Sequence, residues 1–260
     1  MKGWRRCAFS TITTLAVSAA LLVGGCADDQ SRETVNGSSD GPVFEPIFNG
    51  TDLAGWDGDA RFWRVEDGMI IGETTEDNPT EANTFLIWEE GEPGDFELRF
   101  QIRFLTEAGN SGIQVRSERF LDEETPQLEH RVRGYQPDFA VSDWIPGILY
   151  EEGGRGILAR RGQRVHMDAE GERHEEIFAD EEELGAYINP TEWNDYHVIV
   201  QGNTLRSRIN GELMHELIDD SPEARREGII AFQLHQGPPT RLALRAIELA
   251  ELPPDAPTSF

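Results

Sequence analysis

The sequence holds two cysteines, Cys7 and Cys26, and both lie in its first 26 residues. The remainder can form no disulfide, no thiolate nucleophile and no cysteine-ligated zinc site. Lys2 is the only lysine, and positive charge is scarce, with 23 basic against 49 acidic residues and a formal net charge of −26. A surface of that sign repels nucleic acid and anionic lipid headgroups, and is read as a solvated face. Long apolar runs are also missing: the stretch Ile12 to Val23 is too short and too rich in small residues for a stable transmembrane span. There is no HExxH and no dense histidine cluster. Gly153-Gly154-Arg155-Gly156 is neither a P-loop nor a dinucleotide fingerprint, so no nucleotide cofactor is expected.

What is present begins with an export signal. Lys2, Arg5 and Arg6 form a basic segment ahead of the apolar one, and Val23-Gly24-Gly25-Cys26 places small residues before a cysteine. This is the arrangement of a lipoprotein signal over residues 1–25. It predicts cleavage before Cys26, lipidation of that residue, and a membrane-anchored protein of the bacterial cell envelope, on its periplasmic or outer-surface side. Residues 26–43 are rich in Ser, Gly, Asp and Asn, which cannot bury enough surface to fold, and are expected to be a flexible tether. Residues 44–252 suffice for one domain, and residues 253–260 are a proline-rich tail.

Within that domain the pattern is of strands. Asp67-Gly68 and Asn210-Gly211 each separate two apolar stretches and signal two-residue hairpins, because both turn positions need positive φ. From Phe96 to Phe104 large apolar residues alternate with Glu97, Arg99, Gln101 and Arg103, which predicts a half-buried antiparallel strand. A slip in alternation between Ala246 and Ile247 predicts a bulge. Pro137, in a predicted strand over 131–139, suggests an edge strand or a bulge. A short helix is expected near 181–187. Many strands, tight glycine turns and little helix predict an all-β antiparallel sandwich of the jelly-roll type.

The stretch Gly109 to Arg116 is the focus of the chain. Alternation places Ser111, Ile113 and Val115 on one face of a strand, and Gln114 and Arg116 on the other. An amide and a guanidinium on one face could grip sugar hydroxyls or a carbonyl.

Several motifs, in order, carry a family resemblance: Phe48-Asn49-Gly50-Thr51-Asp52-Leu53, Trp63-Arg64-Val65-Glu66-Asp67-Gly68, Asn110-Ser111-Gly112-Ile113, Gly134-Tyr135, Glu192-Trp193-Asn194 and Leu234-His235-Gln236-Gly237. Together they resemble the 3-keto-disaccharide hydrolase family over residues 44–252. The resemblance implies a concanavalin-like jelly roll, frequent export, and action on glycosides oxidised at C3. The chain departs from it after Gly134-Tyr135, where the family has Glu, any residue, then Gln. Here Gln136, Pro137 and Asp138 follow, so amide and carboxylate are exchanged on one strand face.

A 3-keto group acidifies the proton at C2, so cleavage by β-elimination needs a base, an oxyanion stabiliser and an acid for the leaving oxygen. Asp138 is the candidate base, Glu151 the alternative base or acid, and His235 the third candidate catalytic residue. Asn110, Gln114, Arg116, Gln136, Tyr150 and Arg155 are the candidate substrate-binding residues, with Tyr150 as a stacking face. Asp138, Glu151 and His235 also offer hard or borderline metal ligands, which leaves a divalent metal open. The expected function is an exported enzyme cleaving 3-keto glycosides, with a carbohydrate partner and none among nucleic acids. The alternative is a non-catalytic, lectin-like carbohydrate-binding lipoprotein.

Overall fold

The computed structural model describes residues 41–121 and 129–253. The predicted signal and Cys26 lie outside them. Seventeen strands and one short helix follow in chain order: β1 Glu45–Pro46, β2 Trp56–Asp57, β3 Trp63–Glu66, β4 Met69–Glu73, β5 Thr84–Trp88, β6 Phe96–Phe104, β7 Asn110–Arg119, β8 Val132–Ala140, β9 Leu149–Glu152, β10 Gly156–Ala159, β11 Gln163–Met167, β12 Arg173–Ile177, α1 Glu181–Gly185, β13 Asn194–Gln201, β14 Thr204–Ile209, β15 Glu212–Asp219, β16 Ile229–Leu234 and β17 Arg241–Glu251.

They form two sheets. The larger runs β12-β11-β15-β14-β13-β6-β17-β4-β3, with β1 added beside β17, and the smaller runs β10-β9-β8-β7-β16-β5-β2. Alternation decides which side chains meet between them. Phe96, Leu98, Phe100, Ile102 and Phe104 of β6 enter one continuous core with Ile113 and Val115 of β7 and with Tyr135, Phe139 and Phe232. Phe100 stacks on Tyr196 at 5.0 Å and meets Phe232 edge-on at 5.1 Å. A second, smaller apolar group, Phe85, Ile87, Val132, Ile229 and Ala231, lies on the opposite face of the smaller sheet. That sheet is thus covered on its inner side and partly apolar on its outer one.

The jelly-roll sandwich predicted from the strand pattern is the fold observed. Asp67-Gly68 and Asn210-Gly211 make their hairpins with positive φ at all four positions. The bulge at Ala246 is present, with φ of 50° and a register shift between Arg245 and Glu248. α1 lies within its predicted range, its N-terminus capped by the Asp180 carboxylate. Three expectations need correction. The sandwich has one parallel pair, β11 with β15; the chain reaches β11 from the other sheet rather than through a hairpin, so nothing forces it antiparallel. β8, which contains Pro137, is no edge strand, since β7 and β9 flank it. Its pairing with β7 keeps one register from Gly112–Asp138 to Val115–Tyr135 with a gap at Pro137, which has no N–H to give, while on its other side Pro137 lies opposite Leu149 of β9. Glu97, predicted to face solvent, is buried beside His197 at 2.8 Å. Among the described residues, no helix is long and apolar enough to cross a membrane.

Candidate functional site

A cleft of about 280 Å³ opens on the outer face of the smaller sheet. Gln136 and Asp138 of β8, Tyr150 and Glu152 of β9 and Gln233 of β16 line its polar side, with Asn110 and His235. Trp144, Ile145, Ile148 and Ile157 form an apolar wall. Period-two geometry explains the set: Gln136 and Asp138 are two residues apart on one strand, as are Tyr150 and Glu152 on the next, and Gln136 pairs in register with Tyr150. Glycine at 112 is required here, because a Cβ would sit 2.6 Å from Gln136 Cγ and 2.8 Å from Asp138 Oδ1.

Asp138 is the chemical centre of the cleft. Its side chain is almost wholly buried, and Oδ1 accepts a hydrogen bond from Gln136 Nε2 at 2.6 Å. Burial pushes its carboxyl well above the usual carboxylate range, against the pull of the Gln136 donor, and the nearby Glu152 charge adds to the rise. A carboxylate so raised is a stronger base than an ordinary aspartate. Behind it the amides continue: Gln136 Oε1 accepts from Gln114 Nε2 at 2.6 Å, and Gln114 Oε1 accepts from Ser117 Oγ at 2.6 Å. His235 Nδ1 faces the Gln236 carbonyl and, since a carbonyl only accepts, donates to it. Tyr150 is half-buried; burial, then the charges of Glu152 and Asp138, raise its phenol.

Of the predicted residues, the structure therefore brings Asn110, Gln136, Asp138, Tyr150 and His235 to one cleft, with Gln114 directly behind. It does not bring Arg116, Glu151 or Arg155. Arg116 adopts φ of 46° at a break in the register of β7 with both its neighbours, so strict alternation fails there. Its guanidinium donates to the Gly94, Gly202 and Arg225 carbonyls and pairs with Asp95 at 2.9 Å, tying the smaller sheet to turns of the larger. Glu151 has the opposite parity to Tyr150 and Glu152 and lies opposite Tyr135. Arg155 does close the glycine loop on it, at 2.6 Å, but reaches on to Asp219 at 2.7 Å and Ser221 at 3.0 Å, away from the cleft. The proposed ligand set of Asp138, Glu151 and His235 is accordingly split, and among the described residues no group of three or more His, Cys, Asp or Glu is placed to hold a metal.

Sequence reasoning missed Glu152, Gln233, Asn83 and Trp144. Glu152 accepts from Asn83 Nδ2 at 2.9 Å, and Asn83 Oδ1 accepts from the Gln236 N–H at 3.0 Å, so one side chain ties β9 to the loop carrying His235. Gln233 is fully buried in the cleft floor, yet neither amide atom has a hydrogen-bond partner, and Asn110 Oδ1 is likewise unpartnered. Parity offered one usable signal: Gln233 and His235 are two residues apart, so the face that holds one holds both. Trp144 is 48% exposed at the rim, and an Arg160 guanidinium lies 6.0 Å from its ring centre.

A β-sandwich with an acid, an imidazole, several amides and an exposed indole around one cleft has the form of a carbohydrate-active protein. Residues 43–250 match the model of the 3-keto-alpha-glucoside-1,2-lyase-like domain, and the chain belongs to that family. A comparison with curated proteins finds no match. Among solved structures, a Bacillus subtilis protein of unknown function with a galectin-like fold superposes with a TM-score of 0.54 at 11% identity, over 80% of this chain and 94% of that one. A Parabacteroides distasonis protein described as a candidate glycosyl hydrolase gives 0.51 at 15% identity, over 81% and 94%. A 1,3-alpha-1,4-beta-D-galactose-4-sulfate-3,6-anhydro-D-galactose 4 galactohydrolase gives 0.50 at 9% identity, over 84% and 98%. At such identities the likeness is one of fold.

Proposed function

We propose that this chain is an exported, lipid-anchored enzyme that cleaves 3-keto glycosides, by C2 proton abstraction and β-elimination followed by hydration. The observation that carries this reading is the buried, base-strengthened Asp138 carboxyl sharing an amide-lined cleft with His235, on a domain of the 3-keto-alpha-glucoside-1,2-lyase-like family. Asp138 takes the proton from C2 and the electron pair moves into the enolate at C3. The enolate expels the oxygen substituent at C1, and that oxygen takes up a proton as it leaves. Water then adds to C1 while a proton returns to C2, so the sum is hydrolysis with no net oxidation. In this reading the amides of Gln233 and Asn110 meet the keto oxygen and its neighbouring hydroxyls, and His235 is the second proton carrier of the cleft. Trp144 and the isoleucines suit the apolar face of a sugar ring.

The test is exchange of the C2 hydrogen of a 3-keto glycoside in D₂O, followed by NMR with cleavage. Exchange together with release of the aglycone supports the reading. Cleavage that retains a C2 deuterium label excludes elimination. Binding of ordinary glycans without turnover makes the domain a lectin-like module instead.

A further inference from the structure

Asp138 stands at the end of a buried line of four side chains, and the chemistry of that line is directional. Ser117, Gln114 and Gln136 are all at most 2% exposed. An ionised carboxylate only accepts, so Gln136 must turn its NH₂ toward Asp138. Its carbonyl then faces Gln114, which must present its own NH₂, and the Gln114 carbonyl takes the Ser117 hydroxyl proton. The sign of the charge at one end thus sets every amide behind it.

The far end has a second choice. Ser117 Oγ lies 2.6 Å from Gln114 Oε1 and also 3.0 Å from the Val115 carbonyl. If Asp138 takes up a proton on Oδ1, that O–H can donate to a turned Gln136 carbonyl. Gln136 Nε2 then donates to a turned Gln114 carbonyl, Gln114 Nε2 donates to Ser117 Oγ, and the Ser117 proton swings to Val115. No atom along the line loses its bond in either arrangement. A buried carboxyl left without a partner in one of its states would carry a full desolvation penalty there.

We infer that Ser117, Gln114 and Gln136 form a reversible amide relay that positions Asp138 in both its protonation states. The inference rests on Asp138 as the proton carrier of the proposed reaction. Gln114 and Ser117 touch no substrate in this scheme; they are positioning residues that act through Gln136. Other groups facing Asp138 are Glu152 and Tyr150 of β9, Tyr196 of β13, whose hydroxyl donates to the Asp138 carbonyl at 3.2 Å, and His235 across the cleft. Burial, the Gln136 donor and the Glu152 charge set where Asp138 titrates. The relay sets whether the amides turn with it.

The experiment is an NMR titration of the whole chain, following the Asp138 carboxyl carbon and the side-chain amides of Gln114 and Gln136. In the relay, both amides titrate with the midpoint of Asp138, and they keep that shared midpoint when Glu152→Gln removes the nearest charge. A Gln114 amide that stays constant while Asp138 titrates would overturn the inference. Gln114→Glu is the second arm: an acceptor at 114 draws the Gln136 NH₂ away and holds Asp138 protonated. Its midpoint should rise by about one pH unit, the acid limb of C2 exchange rising with it. An unmoved midpoint in a folded Gln114→Glu protein would also overturn the relay. Neither midpoint needs substrate, so a wild-type protein that shows coupled titration but no C2 exchange defeats the proposed reaction and leaves the relay standing.

Discussion

At the residue scale, the cleft depends on two groups held in states that water would not favour. Asp138 is one. Its carboxyl is raised by burial, so the stability of the protonated form is fully present below the unfolded pKa and is lost as pH rises through the raised value. Asp138→Asn carries no such charge. It should melt higher than wild type at neutral pH, with the gap closing on acidification, while turnover falls by about 10²–10⁴ as expected for loss of a general base. Wild-type kcat/KM should rise with pH through an acid limb well above the usual aspartate range, and thermal melts and rate profiles at matched pH check both. Gln233 is the other. Its amide is buried with neither end bonded, and an unsatisfied buried polar group costs about 1–3 kcal/mol. Gln233→Met keeps the shape and should raise Tm by roughly 2–4 °C per kcal/mol recovered. It should also slow C2 exchange by about 10²–10³ if the amide steadies the enolate oxygen. A lower Tm with unchanged exchange would make Gln233 a structural residue. The sequence reached Asp138 and Gln136 through strand parity together with the family resemblance at Gly134-Tyr135. It did not reach Gln233, because an amide in an apolar strand looks like any other polar exception until its missing partners are seen.

At the scale of elements, the bulge in β7 separates binding from bracing. Gln114 keeps the alternation of its strand and faces Gln136, whereas Arg116, two residues on, is turned by its positive φ into backbone carbonyls and Asp95. Arg116→Ala should therefore cost about 3–5 kcal/mol, the usual loss when one partner of a buried ion pair is removed, with kcat/KM of the folded fraction nearly unchanged. Urea melts and rates on the same preparation decide between bracing and binding; a stable variant with raised KM would return Arg116 to the substrate. The same reasoning separates Glu151 from Glu152. Which of two adjacent glutamates faces the cleft depends on the register of β9 against β8, and a slip of one residue would exchange them. Regular hairpins and the β6 alternation were legible because local backbone chemistry decides them. The β7 bulge has no local glycine or proline at Arg116 to announce it.

For the whole molecule, the acidic balance and the absence of cysteine after Cys26 leave stability to a continuous core between two sheets. That core is built by residues far apart in sequence: Phe100, Tyr196 and Phe232 meet only when β6, β13 and β16 face one another. Attachment to a membrane belongs to the proposal and rests on the signal ending at Cys26. Mass spectrometry of the membrane fraction should find a diacylated or triacylated peptide beginning at Cys26. A dominant unmodified peptide spanning Gly25 and Cys26 would remove the anchor from the proposed function.

By itself, the sequence determined what depends on local chemistry and order along the chain: the strands, the two-residue turns, the bulge at Ala246, and the motifs that carry the family resemblance. It also placed Gln136 and Asp138 on one face, since a strand's side chains repeat every second residue. The tertiary structure decided which polar side chains share a space. It put Glu152 and Gln233 into the cleft, held Glu151 on Arg155, which reaches on to Asp219, and set Gln114 behind Gln136. The physical reason is that strand register and burial are settled by contacts between distant strands, and a shift of one residue moves a side chain to the opposite face.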